Sequence, residues 1–292
     1  MATLTGVQPV VLICANRRPP ATTMDQVRAA MVRDAALWQA SSYGVYSLKI
    51  DCYGWFQLPT DMPCNAQAYG DAAVRMAVES GVVIPPGASI WVWSDCGHYE
   101  ALYRCSLPDT KLGVFSDGKM FAYLYGSAIG LPTARAEVLP PVGSNAFDPY
   151  TPMGYMGKGG LNAHERWQKG WLPAANIIAD ADTTQSFATR FIETTERPLG
   201  TKIKLWRLAN QIEIDFRAIG KPGIVTLHRG NTILDLDPVG TCRQYSLPVG
   251  TIYTLGDGLG IRCDSIATDG SGATVTVFPY TGPITVKCAG PK

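Results

Sequence analysis

Hydrophobic and polar positions in the N-terminal part of the chain alternate between strand-like and helix-like periods. The apolar run at 10–14 and the period-two alternation at 45–58 predict strands. Between them, Thr23 and Gln26 have the spacing of a capping box, so a helix is predicted from there until before Gly44. The further elements predicted in this part are a helix over 66–80, a strand over 89–93, a loop with one short edge strand over 95–118, and a helix over 119–130. This order predicts an α/β domain.

The pattern changes near residue 173, where helical periods give way to short alternating strands separated by glycine-rich turns. The predicted strands cover 203–208, 212–217, 223–228, 232–236, 251–255, 260–266 and 273–279. Short strands at such regular spacing are typical of a β-sandwich. We therefore predict two domains, an α/β domain of residues 1–172 and an all-β sandwich of residues 173–292.

Composition narrows the classes of function. The 25 Lys and Arg residues are balanced by 24 Asp and Glu residues, and a net charge of +1 argues against a nucleic-acid binder. A charge near zero also gives little repulsion between copies, which favours association with other subunits. No apolar run reaches the roughly 18 residues of a membrane-spanning helix. Residues 1–14 lack the basic start and cleavage site of a signal peptide, so we expect a location inside the cell or in an assembled particle rather than classical secretion.

Two neighbouring segments carry a resemblance to a known family. Residues 148–157 read Asp-Pro-Tyr-Thr-Pro-Met-Gly-Tyr-Met-Gly, and residues 161–171 read Leu-Asn-Ala-His-Glu-Arg-Trp-Gln-Lys-Gly-Trp. They resemble the Met-turn region of the gametolysin family of algal cell-wall metalloproteases, in which a Met-Gly turn runs into a helix. Further matches in the family's order lie at 42–44, 53–56, 234–238 and 272–277. The resemblance implies a metzincin-like fold for the α/β domain, with Met153 and Gly154 forming the Met-turn.

The zinc motif of such enzymes is altered in this chain. A metzincin carries H-E-x-x-H-x-x-G-x-x-H, in which three His bind zinc, the Gly bends the chain and the Glu is the general base. When the motif is laid on Gly130, the His positions are occupied by Tyr123, Ser127 and Thr133, and the Glu position by Leu124. Hydroxyl side chains are poor zinc ligands and Leu cannot accept a proton. We therefore predict no catalytic residue, no metal and no other cofactor.

Other metal or catalytic arrangements are not indicated by the sequence. The three histidines, His98, His164 and His228, lie far apart in the chain, and no Cys-x-x-Cys pair occurs. His164 falls in the helix after the Met-turn, where we expect it to face solvent or to cap the helix. The remnant of the cleft would be lined by Tyr125 and Tyr155, which either fill the vacated space as core or contact a ligand.

These observations lead to three hypotheses on function. The first is a catalytically inactive gametolysin-like pseudoprotease that serves as a structural or interaction subunit of a cell wall, a matrix or a virus particle, with other protein subunits as partners. The second is a module that binds a peptide or a wall glycoprotein through the remnant cleft. The third, an active hydrolase, requires a catalytic pair that the sequence does not offer.

Overall fold

The computed structural model describes residues 3–95, 100–104, 111–116, 120–136, 146–154, 159–180, 187–237, 244–254 and 258–285. The chain divides into two compact units, one formed by Leu4–Pro132 and the other by Thr133–Lys292 together with the N-terminal Met1–Thr3. The first unit is mixed α/β, and the second is rich in β-strands. Within the described ranges, every helix is too short or too polar to cross a membrane.

The first unit is built on one five-stranded sheet with the strand order β2-β1-β3-β5-β4. Strands β1, β2, β3 and β5 are parallel, and β4 runs antiparallel to β5. Its elements along the chain are β1 (Gly6–Asn16), α1 (Met24–Ser41), β2 (Tyr46–Gln57), α2 (Ala66–Glu79), β3 (Ser89–Trp93), β4 (Glu100–Arg104), β5 (Lys111–Phe115) and α3 (Met120–Ala128).

Both faces of this sheet are covered in its centre, which explains the apolar run in β1. Val11 and Ile13 of β1 pack into a core with α2. Because side chains alternate along a strand, the neighbouring positions point to the other face. On β3, for example, Trp91 lies against Phe121 of α3, with ring centroids 5.3 Å apart. A parallel sheet enclosed in this way has continuous hydrophobic strands.

The predicted helices and strands of the first unit are present, with one correction. Helix α1 begins at the predicted capping box, in which Thr23 accepts from the Gln26 N–H and Gln26 accepts from the Thr23 N–H. The region 95–118 contains two strands rather than one edge strand: β4 is the edge, and β5 lies inside the sheet. The short β5 has a glycine at its centre, Gly113, so its pattern does not stand out from a loop.

The second unit contains a seven-stranded sheet, ordered β7-β6-β13-β12-β11-β10-β8, and a four-stranded sheet, ordered β14-β15-β16-β9. Side chains from both sheets form one apolar core, which includes Trp206, Phe216, Ile261 and Val275. The elements are β6 (Arg135–Ala136), β7 (Ala146–Phe147), a 3-10 turn (Pro152–Gly154), α4 (Ala163–Gln168), a 3-10 turn (Ala174–Asn176), β8 (Ile177–Asp180), β9 (Ala188–Glu193), β10 (Leu205–Leu208), β11 (Ile212–Arg217), β12 (Ile224–Arg229), β13 (Thr232–Ile233), β14 (Ile252–Thr254), β15 (Leu259–Ile266) and β16 (Gly272–Pro279).

The division into units differs from the sequence-based boundary after residue 172. The compact units separate between Pro132 and Thr133. The stretch before residue 173 belongs with the strands because β6 pairs with β13, and because α4 contacts β11 through its first backbone N–H. Periodicity reports where strands become frequent along the chain, whereas the unit boundary follows these contacts between distant segments.

Candidate functional site

Three of the altered zinc-motif positions, Tyr123, Leu124 and Ser127, lie on α3 of the first unit. Leu124 is buried, and the Ser127 hydroxyl donates to the Tyr123 carbonyl oxygen of the same helix at 3.2 Å. Tyr123 itself is half-buried. Thr133 is half-buried and belongs to the second unit. The position expected for the general base thus carries the buried alkyl group of Leu124. The ligand position at Ser127 carries a hydroxyl that is bonded to its own helix.

Tyr125, which we considered for the remnant cleft, lies in the core of the first unit. It is 2 % exposed, and its hydroxyl forms a hydrogen bond with that of Tyr46. Its ring contacts Trp38, Phe121 and Trp91, with centroids 5.4, 5.5 and 6.0 Å away. Burial raises the pKa of Tyr125, so its hydroxyl stays neutral. Tyr155, the other cleft residue, lies outside the described residues.

Gly130 ends α3 in the manner that its position in the motif predicts. Its φ is +82°, a left-handed conformation that side chains disfavour. The Leu131 N–H donates to the Gly126 carbonyl at 2.9 Å, and the Gly130 N–H donates to the Ser127 carbonyl at 3.0 Å. These two bonds form a Schellman motif with glycine at its left-handed position. The chain therefore turns at Gly130, directly after α3.

The Met-Gly turn of the second unit is buried and sterically tight. Met153 is fully buried, and its carbonyl accepts from the Ala134 N–H at 3.0 Å. A Cβ atom on Gly154 would lie 1.7 Å from the Asp148 carbonyl oxygen, so no other residue fits there without moving the backbone. The turn is fastened to α4 by the Thr151 hydroxyl, which donates to the Glu165 carboxylate at 2.6 Å. This geometry accounts for a glycine after the methionine.

Helix α4 begins with a second capping box. The Asn162 side chain accepts from the Glu165 N–H at 2.8 Å, and the Glu165 carboxylate accepts from the Asn162 N–H at 2.8 Å. Glu165 is fully buried, and burial raises its pKa to about 7. A carboxyl group that titrates near neutral pH inside the protein is a feature of catalytic sites, but buried structural networks produce it too.

Glu165 is part of a group of neighbouring ionisable side chains, which we call the charged cluster; all of its members are buried except Glu196, whose side chain is 31 % exposed. Its members are Asp148, Glu165, Glu196, Asp215, Arg217 and His228. Arg217, on β11, is the arginine of the charged cluster. Its guanidinium lies 3.3 Å from the Glu196 carboxylate and donates to the carbonyl oxygens of Tyr150 (2.9 Å) and Gly160. Arg217 thereby ties the loops on both sides of the Met-Gly turn to the large sheet.

Asp215 and His228 form the second half of the charged cluster. Asp215 accepts from the Ala163 N–H of α4 at 3.1 Å and from the Thr226 hydroxyl. His228 Nε2 lies 3.0 Å from the Thr226 oxygen and 3.5 Å from Asp215. Burial alone would lower the pKa of His228, but the neighbouring Asp215 carboxylate outweighs it and raises that pKa. Because Asp215, Thr226 and His228 are at most 2 % exposed, a substrate could not reach this hydroxyl–imidazole–carboxylate set, and its role is to hold α4 on β11 and β12.

The expectation that His164 faces solvent or caps α4 is wrong. The side chain is buried; its Nδ1 lies 2.5 Å from the Glu213 carboxylate and its Nε2 lies 2.8 Å from Gln168 Nε2. The prediction failed because the polar face of β11 is covered by α4. All six residues of β11 are buried, although their sequence alternates apolar and polar positions as in a strand with one solvated face.

An open groove lies elsewhere, within the first unit. Its volume is about 650 Å³, and it is lined by residues of α1 and of the edge strand β2. The walls are formed by Arg28, Met31, Val32, Ala35, Ala36 and Gln39 of α1 and by Ser47, Leu48, Ile50, Asp51, Cys52 and Tyr53 of β2. Val32, 70 % exposed, and the half-buried Ile50 make it largely apolar. The groove was not predicted, since its only signal in the sequence is the apolar stripe on α1.

Comparisons with known proteins add no assignment, because neither the protein-family models nor the curated proteins include a match to this chain. No group of three or more His, Cys, Asp or Glu side chains suited to a metal ion occurs among the residues that the structure describes. The function must therefore be inferred from the geometry itself.

Proposed function

We propose that this protein is a non-catalytic, gametolysin-like pseudoprotease that acts as an interaction subunit of a larger assembly. The observation that carries the proposal is the set of contacts made by α3. Leu124 and Tyr125 are buried in the first unit, and the hydroxyls of Tyr125 and Ser127 form hydrogen bonds within it. The chain keeps features that shape such a scaffold, the glycine bend at Gly130 and the tight Gly154 turn. The metzincin-like fold is part of this proposal.

The open groove supports an interaction role. A monomeric protein seldom leaves a long sheet edge next to an apolar surface uncovered, because unpaired strand edges and apolar patches attract other chains. Among the described residues, β2 pairs with β1 alone, and the groove follows the other edge of β2. The surface available for contact is therefore distinct from α3.

The test of the proposal is zinc content, followed by peptidase activity. We expect less than about a tenth of an equivalent of zinc after dialysis against the metal, since a functional site retains zinc tightly. A double variant, Tyr123→His with Ser127→His, is the positive control: two imidazoles one helical turn apart on α3 can share one zinc ion. One zinc per wild-type chain together with cleavage of a protein substrate would refute the proposal.

A further inference from the structure

The backbone of β2 shows which of its groups face the open groove. The Gly6 N–H donates to the Val45 carbonyl at 2.8 Å, and Gly6 is in register with Tyr46. Along a strand, the N–H and C=O of one residue point to the same side, and successive residues alternate. The odd-numbered residues from Val45 to Asp51 therefore bond to β1. The N–H and C=O groups of Leu48, Ile50 and Cys52 point outward, along an edge on which no described strand pairs.

The side chains of these outward-pointing residues also suit a further strand. Leu48, Ile50 and Cys52 line the groove beneath α1. The side chains of Lys49, which is exposed, and Asp51, which is half-buried, alternate with these along the strand and point to the other face, and Asp51 also borders the groove at the strand edge. Among the described residues, neither takes part in an ion pair within the chain.

We propose that the partner at this edge is a second copy of the chain, whose β2 pairs antiparallel with the first and places Ile50 on a two-fold axis. This pairing rests on the proposed function and names the partner of the interaction subunit. A two-fold contact uses the same surface on both copies, so the surface must be complementary to itself. The sequence of β2 meets this requirement when the pair is centred on Ile50.

With Ile50 opposite Ile50, the outward-facing residues form hydrogen-bonded pairs, and Leu48 faces Cys52 of the second copy. Lys49 then faces Asp51 of the second copy, and the symmetry produces this ion pair twice. These charged residues fall at non-hydrogen-bonded positions, where Cα atoms approach to about 4.5 Å and side chains contact each other most closely.

The neighbouring registers are disfavoured by the same two charges. Centring the pair on residue 49 would bring Lys49 against Lys49, and centring it on residue 51 would bring Asp51 against Asp51. Like charges directly opposite each other destabilise strand pairing. Both alternatives would use the same outward-pointing backbone groups, so the two charges favour the register centred on Ile50 over these two neighbours. A net charge of +1 opposes the association of two copies only weakly.

The test is a charge-swap series on the full chain, measured by sedimentation equilibrium. The wild type is expected to sediment as a dimer of the 31.5 kDa chain. Lys49→Asp and Asp51→Lys each convert two attractive pairs into two repulsive ones, so each should raise the dimer dissociation constant about tenfold or more. The double variant Lys49→Asp with Asp51→Lys restores opposite charges in the same register and should return the constant to near the wild-type value.

The location of the contact is checked by amide hydrogen exchange. Peptides covering Leu48, Ile50 and Cys52 should exchange more slowly in the wild-type dimer than in the monomeric Asp51→Lys variant at equal concentration, while circular dichroism shows both to be folded. A wild type that remains monomeric at its highest soluble concentration would overturn the pairing. So would a dimer that ignores the single swaps, or one that the double swap fails to restore. A monomer that still retains no zinc would leave the proposed function standing, with a different protein as its partner.

Discussion

Helix α3 of the first unit and helix α4 of the second are both buried, but on different kinds of surface. Beneath α3 lie aromatic rings, and the polar group of Tyr125 is a neutral hydroxyl bonded to Tyr46. Against α4 lie carboxyl side chains, with Asp215 accepting from its first turn and Glu213 contacting His164. Apolar cores tolerate similar replacements, whereas buried charges are costly unless each keeps its partner.

The difference predicts how each region responds to the loss of a side-chain partner. Aromatic rings pack around Tyr125 of α3, which is not one of the positions where the resemblance implies ligands and a base. The charged cluster serves the Met-Gly turn, which keeps its shape through Gly154 and Thr151. Under the proposed function, α3 serves packing and the charged cluster fixes the turn. This comparison can be tested by measuring the free energy of unfolding. Removing one partner in the charged cluster should lower that free energy far more than removing one under α3.

The largest effect is expected for Arg217→Met. The substitution removes a fully buried guanidinium and leaves Glu196 and two carbonyl groups without it. The buried Asp215 also loses a stabilising positive charge, so the free energy of unfolding should fall by about 3–5 kcal/mol, measured by urea denaturation. Arg262→Met is the matched control, because Arg262 pairs with Asp264 on a strand of the same unit but is 41 % exposed; it should cost about 1 kcal/mol or less. Equal losses in both variants would contradict the role of the charged cluster.

A pH-dependent effect is expected for Glu165→Gln. Burial raises the pKa of Glu165 from 4.5 to about 7. Because the pKa is higher in the folded protein, protonation of Glu165 stabilises the fold. This stabilisation is complete below the pKa of the unfolded chain, 4.5, and is lost as the pH rises through about 7. Its full size is about 3 kcal/mol. Glutamine can accept both hydrogen bonds without ionising, so the free energy of unfolding of the variant relative to the wild type should increase between pH 5 and pH 8.

The measurement compares urea denaturation curves of the two proteins at several pH values. Groups that titrate equally in the variant and the wild type do not affect the difference between their free energies of unfolding. The pH dependence of that difference therefore comes from Glu165. A difference that stays constant from pH 5 to pH 8 would show that Glu165 is ionised throughout this range.

Elements with a strong local signal were predictable from the sequence. The capping box at Thr23 and Gln26 gives the start of α1, and the strands over 89–93 and 212–217 have the predicted bounds. Gly130 was expected to bend the chain, and it ends α3 in a left-handed conformation. In each case the residues that determine the geometry are neighbours in sequence.

The charged cluster and the groove were not predictable in this way. Glu213, Asp215 and Arg217 have the period of a solvated strand face, and only the packing of α4 from a distant segment makes them buried. Strands β8 and β9 were missed as well; β9 lies at the edge of its sheet, and only its last two residues are buried. The resemblance located the Met-Gly turn, but not the carboxylate and guanidinium that hold it.

The smallest effect is expected under α3, from Tyr125→Phe. The substitution removes the hydrogen bond to Tyr46 and keeps the ring contacts with Trp38 and Phe121. One buried hydrogen bond between neutral groups contributes about 1 kcal/mol, so the free energy of unfolding should fall by about that amount. Tyr53→Phe, on the half-buried strand β2, is the control and should change it by less than about 0.5 kcal/mol. A loss under Tyr125→Phe as large as that of Arg217→Met would mean that the hydroxyl pair is a polar centre in its own right, and α3 could no longer be regarded as a packing helix.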